Sequence, residues 1–176
     1  AKRGDIGSTA DLYAEEAFKR YAADAVTVNP YLGFDSVDPF LEYSDKGVIL
    51  LCRTSNPSAI WIQDAKSEGE KVFLKIARKA KERNVDGQMA LVMGATYPED
   101  LRLVRAIVQD MPLLVPGIGA QGGDLNAVLD NGLDSEKSGL IISSSREIIY
   151  ASSGPDFPEA ASRSAEELKN KINKNR

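Results

Sequence analysis

The stretch Leu113-Leu114-Val115-Pro116-Gly117-Ile118-Gly119-Ala120-Gln121-Gly122-Gly123-Asp124 decides how this chain folds. Its first four residues are an apolar run of strand length, its middle is a glycine-rich turn, and Asp124 stands where a helix N-cap belongs, ahead of a helical segment at 124–131. A buried strand that passes through such a turn into a helix is one βα unit. The same signals recur on both sides. Strands read at 25–29, 48–52, 89–93 and 140–143, and helices at 9–22, 36–43, 67–83, 98–109 and 158–172.

Serial βα units with apolar strands require a parallel sheet covered by helices, either doubly wound or closed into a barrel. The strand ends favour the barrel. Each carries polar or glycine-rich residues: Asn29-Pro30-Tyr31, Arg53-Thr54-Ser55-Asn56-Pro57, Gly94-Ala95-Thr96-Tyr97-Pro98, the run 116–124, and Ser143-Ser144-Ser145-Arg146. Barrels build their sites from such loops, on the face where the strands end. The expected fold class is therefore α/β, a (β/α)8 TIM barrel. Eight strands with their helices take about 250 residues, whereas five strands are legible here. The chain is expected to supply about the last five strands with their helices, with residues 1–176 in a single barrel domain. Two βα units and a third strand are expected upstream of Ala1.

Composition narrows the function. At 176 residues, 43% hydrophobic and 27% charged, the chain is of the ordinary globular class. No run approaches the roughly eighteen consecutive apolar residues of a membrane span, and the polar start AKRGDIGSTA lacks a signal-peptide core. A soluble, cytoplasmic protein is expected, with no membrane partner. A net charge of −4 with scattered signs makes nucleic acid an unexpected partner. The absence of histidine removes Ser-His and Cys-His pairs and His-based metal sites from this stretch, so proton chemistry falls to lysines and carboxylates. Cys52, inside the apolar run GVILLC, reads as a buried, inert thiol.

Three strand ends carry candidate chemistry. The run Pro116 to Asp124 suits an anion, because glycines let backbone N–H groups approach closely and the following helix adds its positive end. The amides around Gly122 and Gly123 are expected to point at that anion, with Gln121 among them. One unit later Arg146 can hold a phosphate with a charged fork, and two adjacent loops of this kind match the phosphate site of barrels. At the start of the chain Lys2 and Asp5 are three apart at a strand-to-helix turn. On spacing alone they read as a solvated surface pair.

The segment Lys2-Arg3-Gly4-Asp5-Ile6-Gly7-Ser8-Thr9 resembles the D-x-K-x-x-D-I signature of the orotidine 5′-monophosphate decarboxylase family, in the AKRGDIGST form of one bacterial and archaeal subgroup. The signature's first aspartate would precede Ala1. PGIGAQGGD closely resembles that family's phosphate loop, and Ser55 falls in a segment similar to its pyrimidine-reading loop. The resemblance implies decarboxylation of orotidine 5′-monophosphate to UMP without cofactor or metal. It implies Lys2 as the proton donor to C6, Asp5 as its orienting partner, and Thr9 and Asp5 reaching into a second subunit of a homodimer with shared active sites. It also implies Ser55 on the base, and Pro116, Gln121, Gly122, Gly123 and Arg146 on the phosphate. Two rivals stay open: a Mg²⁺-dependent sugar-phosphate decarboxylase of the same superfamily, and a non-catalytic phosphate-ligand binder or dimerisation fragment.

Overall fold

The computed structural model describes residues 2–119 and 122–176. The chain falls into two compact units, Ala1–Val92 and Met93–Arg176.

The first unit begins with a two-residue strand, β1 (Lys2–Arg3), followed by helix α1 (Gly7–Glu15), whose last turn widens into a π-helical segment, Glu16–Arg20. Then come β2 (Ala25–Val28), two 3-10 turns, α2 (Asp38–Leu41), β3 (Gly47–Arg53) and the short α3 (Ile60–Gln63). A hairpin, β4 (Lys66–Ser67) and β5 (Glu70–Lys71), leads to α4 (Val72–Arg83) and then to β6 (Met89–Met93), whose last residue opens the second unit. The sheet order is β1-β2-β3-β6. β1 and β3 both pair with β2 in parallel, with Lys2 opposite Thr27 and Val28 opposite Leu50. All three strands therefore end on one edge.

Burial explains why these elements hold together. All five residues of β6 are buried, as in a strand covered on both faces. Helix α4 buries Phe73, Ala77 and Ala80 along one stripe, the spacing of a helix laid on a sheet. Phe18 and Phe40 meet edge to face at 6.3 Å beneath α2. Cys52 is buried as expected, its thiol donating to the Phe73 carbonyl at 3.2 Å.

The second unit contains α5 (Pro98–Val108), β7 (Leu113–Pro116), α6 (Leu125–Gly132), β8 (Leu140–Ser143), α7 (Arg146–Ile149) and α8 (Phe157–Asn175). β7 and β8 pair in parallel from Leu113 opposite Leu140 to Pro116 opposite Ser143. Asp124 caps α6 as read, its carboxylate accepting from Asn126 N at 2.8 Å and Ala127 N at 3.3 Å.

Three expectations change. A strand precedes α1, because Lys2 and Arg3 pair with β2 although neither is apolar. The helix read over 67–83 starts only at Val72. Its first turn is replaced by the hairpin, which turns through Glu68 at φ 57° and Gly69 at φ 83°. Short helices also follow Pro57 and Ser145, where only loops were read.

Candidate functional site

In the first unit, Arg3 fixes the orientation of β1. Its guanidinium reaches Glu16 Oε2 at 2.9 Å from Nε and 2.7 Å from Nη2, and lies 5.3 Å from the centroid of the Tyr13 ring. Arg3 thus faces α1, and strand alternation turns Lys2 to the opposite face of the sheet. Lys2 is exposed and no described residue forms an ion pair with it. Asp5 stands at the turn into α1, where its Oδ1 accepts from the Ile6 N–H at 2.9 Å. No ion pair joins Asp5 to Lys2 among the described residues, so the partnership expected from the sequence is not formed in this structure. Thr9 is exposed on the first turn of α1, with the apolar side chains of Ile6 and Leu12, 58% and 65% exposed, on either side of it in sequence.

Ser55 is half-buried in the loop beyond β3, and a network missed by sequence reasoning holds that loop. Arg53 is 1% exposed. Its Nη2 donates to Asp64 Oδ2 at 3.0 Å and its Nη1 to Gln63 Oε1 at 3.3 Å. Gln63 Oε1 also accepts from the Thr54 N–H at 3.0 Å, while Gln63 Nε2 donates to Thr54 Oγ1 at 2.9 Å. Lys71 Nζ lies 2.8 Å from the other Asp64 oxygen. The Lys71 ammonium first, with Arg53 behind it, holds the Asp64 carboxyl below the usual carboxylate range against the opposing effect of burial. The signal was in the sequence: an arginine closing an apolar strand needs an acceptor, and Gln63-Asp64 supplies two.

In the second unit Pro116, Gly117, Ile118, Ser143, Ser144, Ser145 and Arg146 line one small concavity between the ends of β7 and β8. Arg146 is exposed and forms no ion pair with a described residue. Ser144 Oγ is buried and has no hydrogen-bond partner among the described residues. Pro116 and Arg146, both singled out from the sequence, are thereby brought together. Gln121 lies outside the described residues.

Gly122 and Gly123 behave differently from expectation. The Gly122 N–H donates to the Gly119 carbonyl at 2.7 Å and the Gly123 N–H to the Gly117 carbonyl at 3.1 Å, so both amides close the loop on itself. Neither residue lines the concavity. Glycine at 123 serves close packing, since a Cβ there would stand 2.5 Å from Ala95 Cβ and 2.6 Å from the Gly117 oxygen. Gly119 takes φ +71°, and a Cβ on it would meet the Glu147 carboxylate, which lies against this loop.

Residues 1–162 match the family model described as "Orotidine 5'-phosphate decarboxylase / HUMPS family". A relative from Ralstonia pickettii named orotidine 5′-phosphate decarboxylase is 54% identical over 174 residues, covering 98% of this chain and 64% of its own length. The structure of Leishmania donovani OMP decarboxylase superimposes with a TM-score of 0.85 at 42% identity, over 98% of this chain and 66% of that one. Leishmania donovani UMP synthase gives a TM-score of 0.88 at 44% identity, over 100% of this chain and 38% of that one. The α/β barrel class read from the strand ends holds. The chain spans just under two thirds of the length of such relatives.

Proposed function

The chain belongs to the orotidine 5′-phosphate decarboxylase / HUMPS family, and from that membership we propose that it serves the decarboxylation of orotidine 5′-monophosphate to UMP. The bond from C6 of the pyrimidine to its carboxylate breaks, CO2 leaves, and the electron pair remains on C6. The Lys2 ammonium stabilises that charge and then delivers its proton to C6. The position of Lys2 supports this role: it lies on the short strand β1, on the face away from α1, with no ion pair to a described residue that would hold its charge elsewhere.

Ser55 reads the base edge, through hydroxyl and backbone amide. Pro116, Gln121, Gly122, Gly123 and Arg146 make up the phosphate end. Arg146, with the Ser144 hydroxyl beside it, supplies the contacts and the two glycines shape the loop. The barrier reduction required is on the order of 20 kcal/mol, more than one contact provides, so binding energy from the remote phosphate contributes to it. We propose further a cytoplasmic homodimer that needs no cofactor, in which Asp5 and Thr9 reach the partner's site. The exposed Ile6 and Leu12 beside them form an apolar surface suited to a partner.

The observation that carries the reading is the concavity lined by a guanidinium and a buried hydroxyl, neither paired with a described residue, beside a glycine-rich loop. Calorimetric titration with UMP and with uridine tests it. Arg146→Ala should weaken UMP by roughly 2–3 kcal/mol, about thirty- to a hundredfold, and leave uridine unchanged. Equal losses for both ligands would reassign Arg146 to support of the fold.

A further inference from the structure

We propose that Gln63 is a positioning residue for base recognition, acting through Thr54 and Asn56 on the loop that carries Ser55; the inference rests on the reading of Ser55 as a base contact. The orientation of the Gln63 amide follows from chemistry. Its Oε1 faces two groups that can only donate, the Thr54 N–H at 3.0 Å and Arg53 Nη1 at 3.3 Å. Its Nε2 must therefore point to Thr54 Oγ1, which it does at 2.9 Å. With that lone pair occupied, the Thr54 hydroxyl turns its own proton to Asn56 Oδ1 at 2.7 Å, and Asn56 Nδ2 passes on to Ser58 Oγ at 3.2 Å. The result is a chain of one direction, Gln63 to Thr54 to Asn56 to Ser58. Its central link joins the residues on either side of Ser55.

Gln63 does not drift, because Arg53 is buried and anchored by Asp64, which Lys71 holds from the other side. A bond from Thr54 to Asn56 removes backbone freedom from the one residue between them, so the backbone at Ser55 is held in a fixed geometry. Reversing the polarity at the head of the chain should undo this. A glutamate at 63 cannot donate, and the Thr54 hydroxyl would then turn to it and release Asn56. The new charge would sit beside Arg53, so the fold has reason to survive the change.

The test compares affinities of the purified protein for UMP and for ribose 5-phosphate, which has the same sugar and phosphate but no base. Wild type should prefer UMP. Gln63→Glu and Thr54→Val should each weaken UMP about tenfold and leave ribose 5-phosphate within twofold, while Thr54→Ser, which keeps the hydroxyl, should bind UMP like wild type. The double variant Gln63→Glu/Thr54→Val should lose no more than either single one. UMP affinity within threefold of wild type in both single variants overturns the inference, as does an equal loss for both ligands. A wild type that shows no preference for UMP overturns the base-binding reading, and the inference falls with it.

Discussion

Arg105 Nε donates to the carbonyl oxygen of Gly132 at 2.7 Å, tying the end of α5 to the end of α6. The same guanidinium reaches the carbonyls of Gln109, Met111 and, at 2.9 Å, Gly139. These acceptors lie at the close of two helices and ahead of β7 and β8, so one side chain sets where both strands begin. Burial lowers the Arg105 pKa from its ordinary value, with Asp134 and Asp110 acting in the opposite direction. Arg105→Leu removes a charged donor from four backbone acceptors and should cost at least about 3 kcal/mol in urea denaturation. Arg105→Lys keeps the charge but not the planar fork, and should fall between the two. A leucine variant within about 1 kcal/mol of wild type would refute this account.

Acid should act on the loop beyond β3 through Asp64. Its pKa is lower in the folded chain than the ordinary 3.8, so its stabilising contribution is complete above that value and is lost as pH falls through the lower folded one. Protonation removes the anchor of Arg53 and releases Gln63 with it. The stability difference between wild type and Asp64→Asn should be largest near neutrality and shrink as pH drops below about 4. A difference of constant size across that range would show that the Asp64 charge does not matter.

The legible parts of the fold were those with an apolar period. β7 and β8 fall on the residues read from the sequence, and β6 stands out because five successive apolar residues bounded by turns have few alternatives. β1 escaped because two charged residues form a strand only through pairing with Thr27 and Val28, which no local pattern records. The placing of Arg146 beside Pro116 was legible from its position after the last strand. The role of Gly122 and Gly123 was not, since a glycine-rich turn can offer its amides to a ligand or to its own carbonyls, and only the three-dimensional path decides. Gln63 was overlooked, although Arg53 at the close of an apolar strand called for an acceptor, because that acceptor lies nine and ten residues after the groups it serves.

The two glycines should respond differently to alanine. At Gly123 the added methyl group meets Ala95 Cβ and the Gly117 oxygen, so the loop must shift, at a cost of roughly 1–3 kcal/mol. At Gly122 nothing lies within 4 Å of the added atom, but φ is +83°. Backbone strain of about 1–2 kcal/mol is then the whole effect. Thermal unfolding of both variants checks this, and asparagine at 122, which tolerates positive φ, should recover part of the loss while asparagine at 123 should not. Recovery at both positions would mean that strain rather than contact governs Gly123.

Lys2→Ala should separate chemistry from binding. No described residue pairs with the Lys2 ammonium, so its removal strands no partner and the fold should be unaffected. The proposed phosphate end is made of other residues, and UMP affinity should remain within about threefold of wild type. On the proposed mechanism decarboxylation should fall by at least about a thousandfold, because the charge assigned to stabilising C6 and the proton assigned to completing the reaction would leave with one side chain. Lys2→Arg keeps the charge but holds its proton too tightly to deliver it, and should recover little. Release of CO2 from orotidine 5′-monophosphate, followed alongside UMP titration for each variant, distinguishes the possibilities. Activity within tenfold of wild type in Lys2→Ala would remove Lys2 from the mechanism, and a parallel loss of UMP binding would make it a binding residue instead.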